Sequence, residues 1–273
     1  MPDTAKDIDK AKQKAIDELN KRIDTMGSTA YSILLKSIED TFDFKGGKLV
    51  ADKNFIKQLN KLTVDVLDLL QKDPKFTGPV SQFIKRMEPI SEAIDGFQKS
   101  VNGVKVPGFE TAKKIVIDEI VDKMLNNGLN QSFVQPLRDL IYQNVSGEGL
   151  SLSQARIQVK ELAATNGKLG QYVEQTAVQA VDAYSGAINT KLLETFDYDA
   201  LLMTGTLIDN SSKQCRYVLE ELGGRITREN WPKVKEKAGG SLIEGTTFDN
   251  LPTNRLHWGC RHSFYPIINK KTA

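Results

Sequence analysis

The sequence predicts a mainly α protein, a helical N-terminal region followed by a small α+β C-terminal domain. Apolar residues recur at steps of three and four through the first two thirds of the chain, the period of a buried helix face. After Phe196 that period gives way to short, branched, Thr-containing stretches that read as strands. Aromatics at 7% and nine prolines in 273 residues suit helices better than a turn-rich β-sandwich.

In chain order, Ile8, Ala11, Ala15, Leu19 and Ile23 form the first stripe. Phe55, Leu59, Leu62, Val66 and Leu69 form the second, which Asp73-Pro74 stops because a proline ring clashes with the preceding turn. Val80, Phe83, Met87, Ile90, Ile94 and Phe97 make a third, with Pro89 inside it expected to kink or split the helix. Gly103, Pro107 and Gly108 break the chain between Asn102 and Gly108. Ile115, Ile120 and Met124, then Phe133, Leu137, Leu140 and Ile141, predict two helices around Asn126-Asn127-Gly128. These faces speak of packing rather than chemistry.

Val145 to Gly149 carries no stripe and two flexible glycines, so the domains are expected at 1–148 and 149–273. Ser151 and Gln154 form a capping box, each side chain satisfying a free amide at a helix start. That helix is expected to end near Asn166-Gly167, and a longer one to run from about Leu169 to Leu193. The face Ala177, Ala180, Val181, Ala183, Gly186 and Ala187 is small enough for another backbone to approach closely. Leu201–Ile208, Arg225-Ile226-Thr227 and Arg261–Ile267 are predicted strands, with short helices at Cys215–Leu222 and from Pro232 to Lys237. The last five residues are expected to fray.

Thirty-seven basic against 35 acidic residues leave +2, too little for a whole-molecule field that draws in nucleic acid or anionic lipid. The charge is uneven, however: residues 203–273 hold 11 basic and seven acidic groups, leaving 26 and 28 in residues 1–202. Such an excess is a solvated face or a weak, salt-dependent contact with DNA phosphates. No run of 18 apolar residues is present and the first residues lack a signal core, so the expectation is a soluble chain, intracellular at synthesis. Two cysteines exclude a disulfide framework but leave a single bridge or a shared metal open.

Both histidines and one cysteine fall in His257-Trp258-Gly259-Cys260-Arg261-His262, with Cys215 upstream behind Asp209. Cys215, His257, Cys260 and His262 supply the four Cys/His ligands of a tetrahedral structural zinc. His257 and Cys260 have the spacing of a tight turn, and Cys260 and His262 share one face of a strand. The same residues also fit plain apolar packing, a Cys215–Cys260 bridge, or a one-metal nuclease on His257, His262 and Asp209. A Cys260 nucleophile lacks an identifiable orienting acid, and neither Gly239-Gly240 nor Gly46-Gly47-Lys48 completes a phosphate-binding loop.

Taken together, four blocks over residues 150–268 resemble the phage Mu F-like head morphogenesis (minor head protein) family. The helix from Tyr172 through Ala187 resembles its alanine-rich helix, and the strand Leu202–Thr206 followed by Asp209 and Cys215 its acidic turn and cysteine. Leu222-Gly223-Gly224-Arg225-Ile226, with Trp231 after it, is similar to a Leu-x-Gly-x-Val/Ile segment. Leu251-Pro252 and His257 through Pro266 resemble its His-x-x-Cys-Arg-Cys ending. His262 stands where a second cysteine is usual, an exchange that keeps a zinc ligand, and Val218 stands where many members carry Cys.

The resemblance implies a non-enzymatic minor protein of a tailed-phage head, present inside the capsid in several copies near the portal and in the host cytoplasm during assembly. It implies as partners the portal protein and other head components, with non-specific contact to packaged DNA and no membrane. The cofactor it implies is one structural zinc. The chain ends soon after the motif, so no C-terminal toxin is expected. The alternative is a small metal-dependent nuclease or processing enzyme centred on the His/Cys cluster.

Overall fold

The computed structural model describes residues 3–49, 51–146, 149–258 and 260–268. Gly147 and Glu148 of the expected seam, Gly259 of the His–Cys turn and the closing residues 269–273 lie outside the described residues. The chain is mainly α, with a small α+β arrangement toward its C-terminal end.

Helix α1 (Asp3–Thr41) continues the first stripe well past Ile23, burying Met26, Ala30, Leu34 and Ile38. A hairpin, β1 (Phe44–Lys45) and β2 (Lys48–Leu49), follows and pairs with β3 (Leu150–Ser151). Gly46 and Gly47 both take positive φ there, +57° and +75°, as a two-residue turn with the twist of its strands requires. Helix α2 (Phe55–Lys72) ends where Pro74 begins α3 (Pro74–Lys85), the proline occupying a first turn that needs no amide donor. Its inner face turns to Leu70, leaving Leu69 45% exposed. The third stripe is split at Arg86, three residues before Pro89, because the proline ring clashes with the turn before it and so falls in the first turn of α4 (Met87–Asn102).

Helix α5 (Glu110–Leu125) buries Val116, Ile120 and Met124 and leaves Ile115 63% exposed. A short α6 (Asn127–Leu129) passes through a π-helical turn, Asn130–Val134, into α7 (Gln135–Ser146). Helix α8 (Leu152–Ala163) starts at the expected capping box, with Ser151 Oγ accepting from Gln154 N and Gln154 Oε1 from Ser151 N. Helix α9 (Lys168–Thr195) precedes the second sheet. That sheet has the order β5–β4–β6, all antiparallel, with β4 (Ala200–Thr204) between β5 (Arg225–Thr227) and β6 (Ser263–Ile267). Between these strands lie α10 (Lys213–Arg216) with a π-helical turn at Tyr217–Glu221, then α11 (Trp231–Ala238), a 3-10 turn at Gly239–Ser241, and α12 (Leu251–Asn254).

The compact units differ from the ranges 1–148 and 149–273. One comprises Met1–Gln13, Arg86–Val116 and Ala180–Ala273; the other comprises Lys14–Lys85 and Ile117–Gln179. A lapse in the hydrophobic stripe marks a local helix break, whereas a compact unit is set by which buried faces meet. In the first unit α4 lies against β6: Gln98 and Asn102 donate to the Pro266 carbonyl, and Phe97 packs on Tyr265 with ring centroids 5.3 Å apart. Thr204 faces Ser263 and Leu202 faces Tyr265 across the ladder.

The small face of α9 does bring a backbone close. A Cβ at Gly186 would lie 2.7 Å from the Pro252 carbonyl oxygen, whereas one at the exposed Gly96 of α4 meets nothing within 4 Å. Glycine-to-alanine exchange inside a helix stabilises by about 0.5–1 kcal/mol where space allows. Overpacking costs about 1–3 kcal/mol. Gly96→Ala should therefore raise the melting temperature and Gly186→Ala lower it, as followed by circular dichroism.

Candidate metal centre

Cys215 is 1% exposed and sits in the first turn of α10. Ser212 caps that helix, its hydroxyl accepting from the Cys215 amide at 3.3 Å, so the cap also orients the cysteine. The neighbouring Gln214, buried to the same degree, donates to the Leu256 carbonyl at 3.4 Å and accepts from Ser241 Oγ at 3.0 Å. It ties the residue before Cys215 to the residue before His257. Leu251 and Leu256, both fully buried, anchor this segment.

The Cys260 amide donates to the His257 carbonyl at 3.1 Å, closing the tight turn that the spacing implies. His257 Nε2 is 3.3 Å from Cys215 Sγ, and His257 Nδ1 is 2.9 Å from the Trp258 carbonyl oxygen. A proton on Nδ1 donated to that carbonyl leaves the Nε2 lone pair facing the sulfur, the arrangement common to metal-ligating histidines. Single donor atoms of Cys215, His257 and Cys260 all lie within 4.8 Å of one another. Tetrahedral zinc, with Zn–S near 2.3 Å and Zn–N near 2.0–2.1 Å, fits donors at such separations. The cluster can therefore hold a metal ion.

His262, the fourth expected ligand, is not within that group of three. Its Nδ1 is 3.6 Å from Cys260 Sγ, and its Nε2 is buried with no hydrogen-bond partner. Its ring packs against Gly205, where a Cβ would come within 2.6 Å of Cδ2. Asp209 is exposed and, among the described residues, joins no metal-binding group. Its backbone carbonyl instead accepts from Arg216 at 3.0 Å.

The two thiols are electrostatically unlike. Hydrogen bonding with Cys260, together with burial, pushes the Cys215 thiol up. Hydrogen bonding with Cys215, and secondarily with His262, holds the Cys260 thiol down against the burial that opposes it. The two sulfurs share a hydrogen bond and titrate as a pair.

Behind the turn lies a set of residues that the sequence analysis did not single out. Arg255 donates through Nη1 to the Cys260 carbonyl and pairs through Nη2 with Asp182 Oδ2 at 2.7 Å. The other Asp182 oxygen, Oδ1, is 3.3 Å from Lys12 Nζ, which also donates to Ser263 Oγ at 2.9 Å. Burial holds the Lys12 ammonium below its usual range, with Asp182 and Asp9 opposing. The nearby Asp9 carboxyl is raised, again chiefly by burial. A buried ion without its partner costs about 3–5 kcal/mol, so Lys12 and Asp182 need one another. No periodic signal marks Lys12 as buried, since it stands beside Ala11 in an amphipathic stripe.

Elsewhere, an open cleft of about 800 Å³ in the second unit is lined by residues including Asp24, Tyr31, Lys160 and Glu174. The fold and the site together define a mainly α protein with a Cys–His–Cys cluster, its two thiols buried, able to take a metal ion. No protein-family model matches the chain, and neither a curated protein nor a solved structure matches it.

Proposed function

We propose that this is a structural minor head protein of a tailed bacteriophage, a Mu F-like protein acting at the portal vertex in head morphogenesis or in genome packaging and ejection. One observation carries the reading: Cys215 meets His257 and Cys260 across more than forty residues, as the four ordered sequence blocks require if they form one unit. One structural zinc, held by Cys215, His257 and Cys260, pins that unit, and its binding free energy adds to folding. His262, beside Cys260, is the fourth ligand by the resemblance. The striped helices supply amphipathic surface for the portal and for neighbouring copies. Exposed Lys233, Lys235 and Lys237 on α11 support non-specific contact with packaged DNA. Mass spectrometry of purified virions and empty proheads should find the chain; its absence from both would end the proposal.

A second reading has its own support. Three grouped protein ligands leave a fourth position for water or substrate, the pattern of catalytic rather than structural zinc. On that reading the chain is a small metal-dependent nuclease or processing enzyme. His262→Ala separates the two. In a structural protein, removing a ring packed on Gly205 and Cys260 should cost roughly 1–3 kcal/mol, seen as a lower melting temperature. In an enzyme that uses His262, the same change should in addition abolish turnover of a DNA substrate that the wild type cleaves, and a wild type that turns over no DNA would contradict this reading.

A further inference from the structure

We propose that Lys12, Asp182 and Arg255 are positioning residues for the metal turn, so that the start of α1 governs how tightly Cys215, His257 and Cys260 hold a divalent cation. The inference rests on the metal reading of that cluster and goes beyond it, because none of the three is a ligand.

The backbone of Arg255 makes the first part of the case. Its φ of +63° with ψ of 178° lies in a region that belongs almost wholly to glycine. Its amide closes α12 by donating to the Leu251 carbonyl at 2.8 Å, a task that needs no side chain. A glycine would close the helix without strain. The guanidinium gives the arginine a use there. One end meets the Cys260 carbonyl and the other meets Asp182 at 2.7 Å, and its planar fork fixes the span between them.

The described residues between α12 and β6, 255–258 and 260–262, have no regular secondary structure, yet His257 and Cys260 both lie among them. Their ends are held from a single point. Asp182 binds Arg255 at one end directly. At the other end it binds Lys12, which reaches Ser263 at 2.9 Å. Lys12 is 7% exposed, so water offers this link little competition. A loosened bracket would leave the tight turn to short local bonds such as that from the Cys260 amide to the His257 carbonyl. Metal affinity depends on ligands held ready before the ion arrives, and such outer partners typically contribute ten- to a hundredfold.

The test uses the full chain with Arg255→Gly, Arg255→Lys and Lys12→Met. Arg255→Gly deletes the fork while relieving the backbone, and Arg255→Lys keeps the charge without the two-ended reach. Zn²⁺ affinity would be measured by competition with a chromophoric chelator, and folding of the metal-free protein by circular dichroism. At least a tenfold loss of affinity in Arg255→Gly and Arg255→Lys, with the metal-free fold retained, is the expected result. Lys12→Met should show the same loss; if it does not fold, the two Arg255 variants decide. Affinities within twofold of the wild type would overturn the proposal, as would full rescue by lysine at position 255. A wild-type chain that binds no Zn²⁺ would refute the metal reading itself and take this inference with it, a result distinct from variants that bind as well as the wild type.

Discussion

Two thiols withdrawn from water and a half-buried imidazole, all within 4.8 Å of one another, impose the constraint around which the C-terminal part of the chain is arranged. Polar groups removed from solvent must find partners or an ion, or the fold loses the cost of their dehydration. Here the partners are local and few. His257 turns one nitrogen to its neighbour's carbonyl and the other to Cys215, and the helix cap at Ser212 aims Cys215 from the opposite segment. Gln214 then closes the gap between the two segments one residue away from the donors. The β4–β6 ladder pairs Thr204, which precedes the Cys215 segment, with Ser263, which follows the Cys260 turn.

The N-terminal residues are part of the same unit, although they are the most distant in sequence. Residues 1–13 group with 86–116 and 180–273, and Lys12 lies inside that unit with Asp182 and Arg255 around it. A buried ion cluster is weak as a source of stability but strict about who its members are. It suits a role in specifying one arrangement of an irregular segment better than a role in holding the fold together.

Much of the helical architecture was legible because it follows from local rules. The Ser151–Gln154 capping box and the stop before Pro74 appear where the residue chemistry puts them. The three strands near the C-terminus are present too, though β4 stops at Thr204 where a run to Ile208 was expected. Register within a stripe was harder: Leu69 and Ile115 lie outward while Leu70 and Val116 are buried, since a step of three or four selects a face only within a residue. Pro89 does split its stripe, but one turn ahead of itself, since the clash falls on the preceding turn. The β1–β2 hairpin was missed because its strands are only two residues long, and its partner β3 lies a hundred residues away and leaves no local trace. In the site, Cys215, His257 and Cys260 were legible from residue type and spacing. His262 shares their neighbourhood without joining the group, and Lys12, Asp182 and Arg255 were invisible because a buried charge looks like a surface one until its partners are known.

X-ray absorption at the zinc edge, on the chain purified without added metal, tests the central claim most directly. A metal held by both cysteines and at least one histidine predicts about one equivalent of zinc. It predicts two sulfur neighbours near 2.3 Å, with the remaining nitrogen or oxygen neighbours near 2.0–2.1 Å. A stoichiometric zinc with no sulfur in its shell, or a protein that carries none and takes up none, would contradict it.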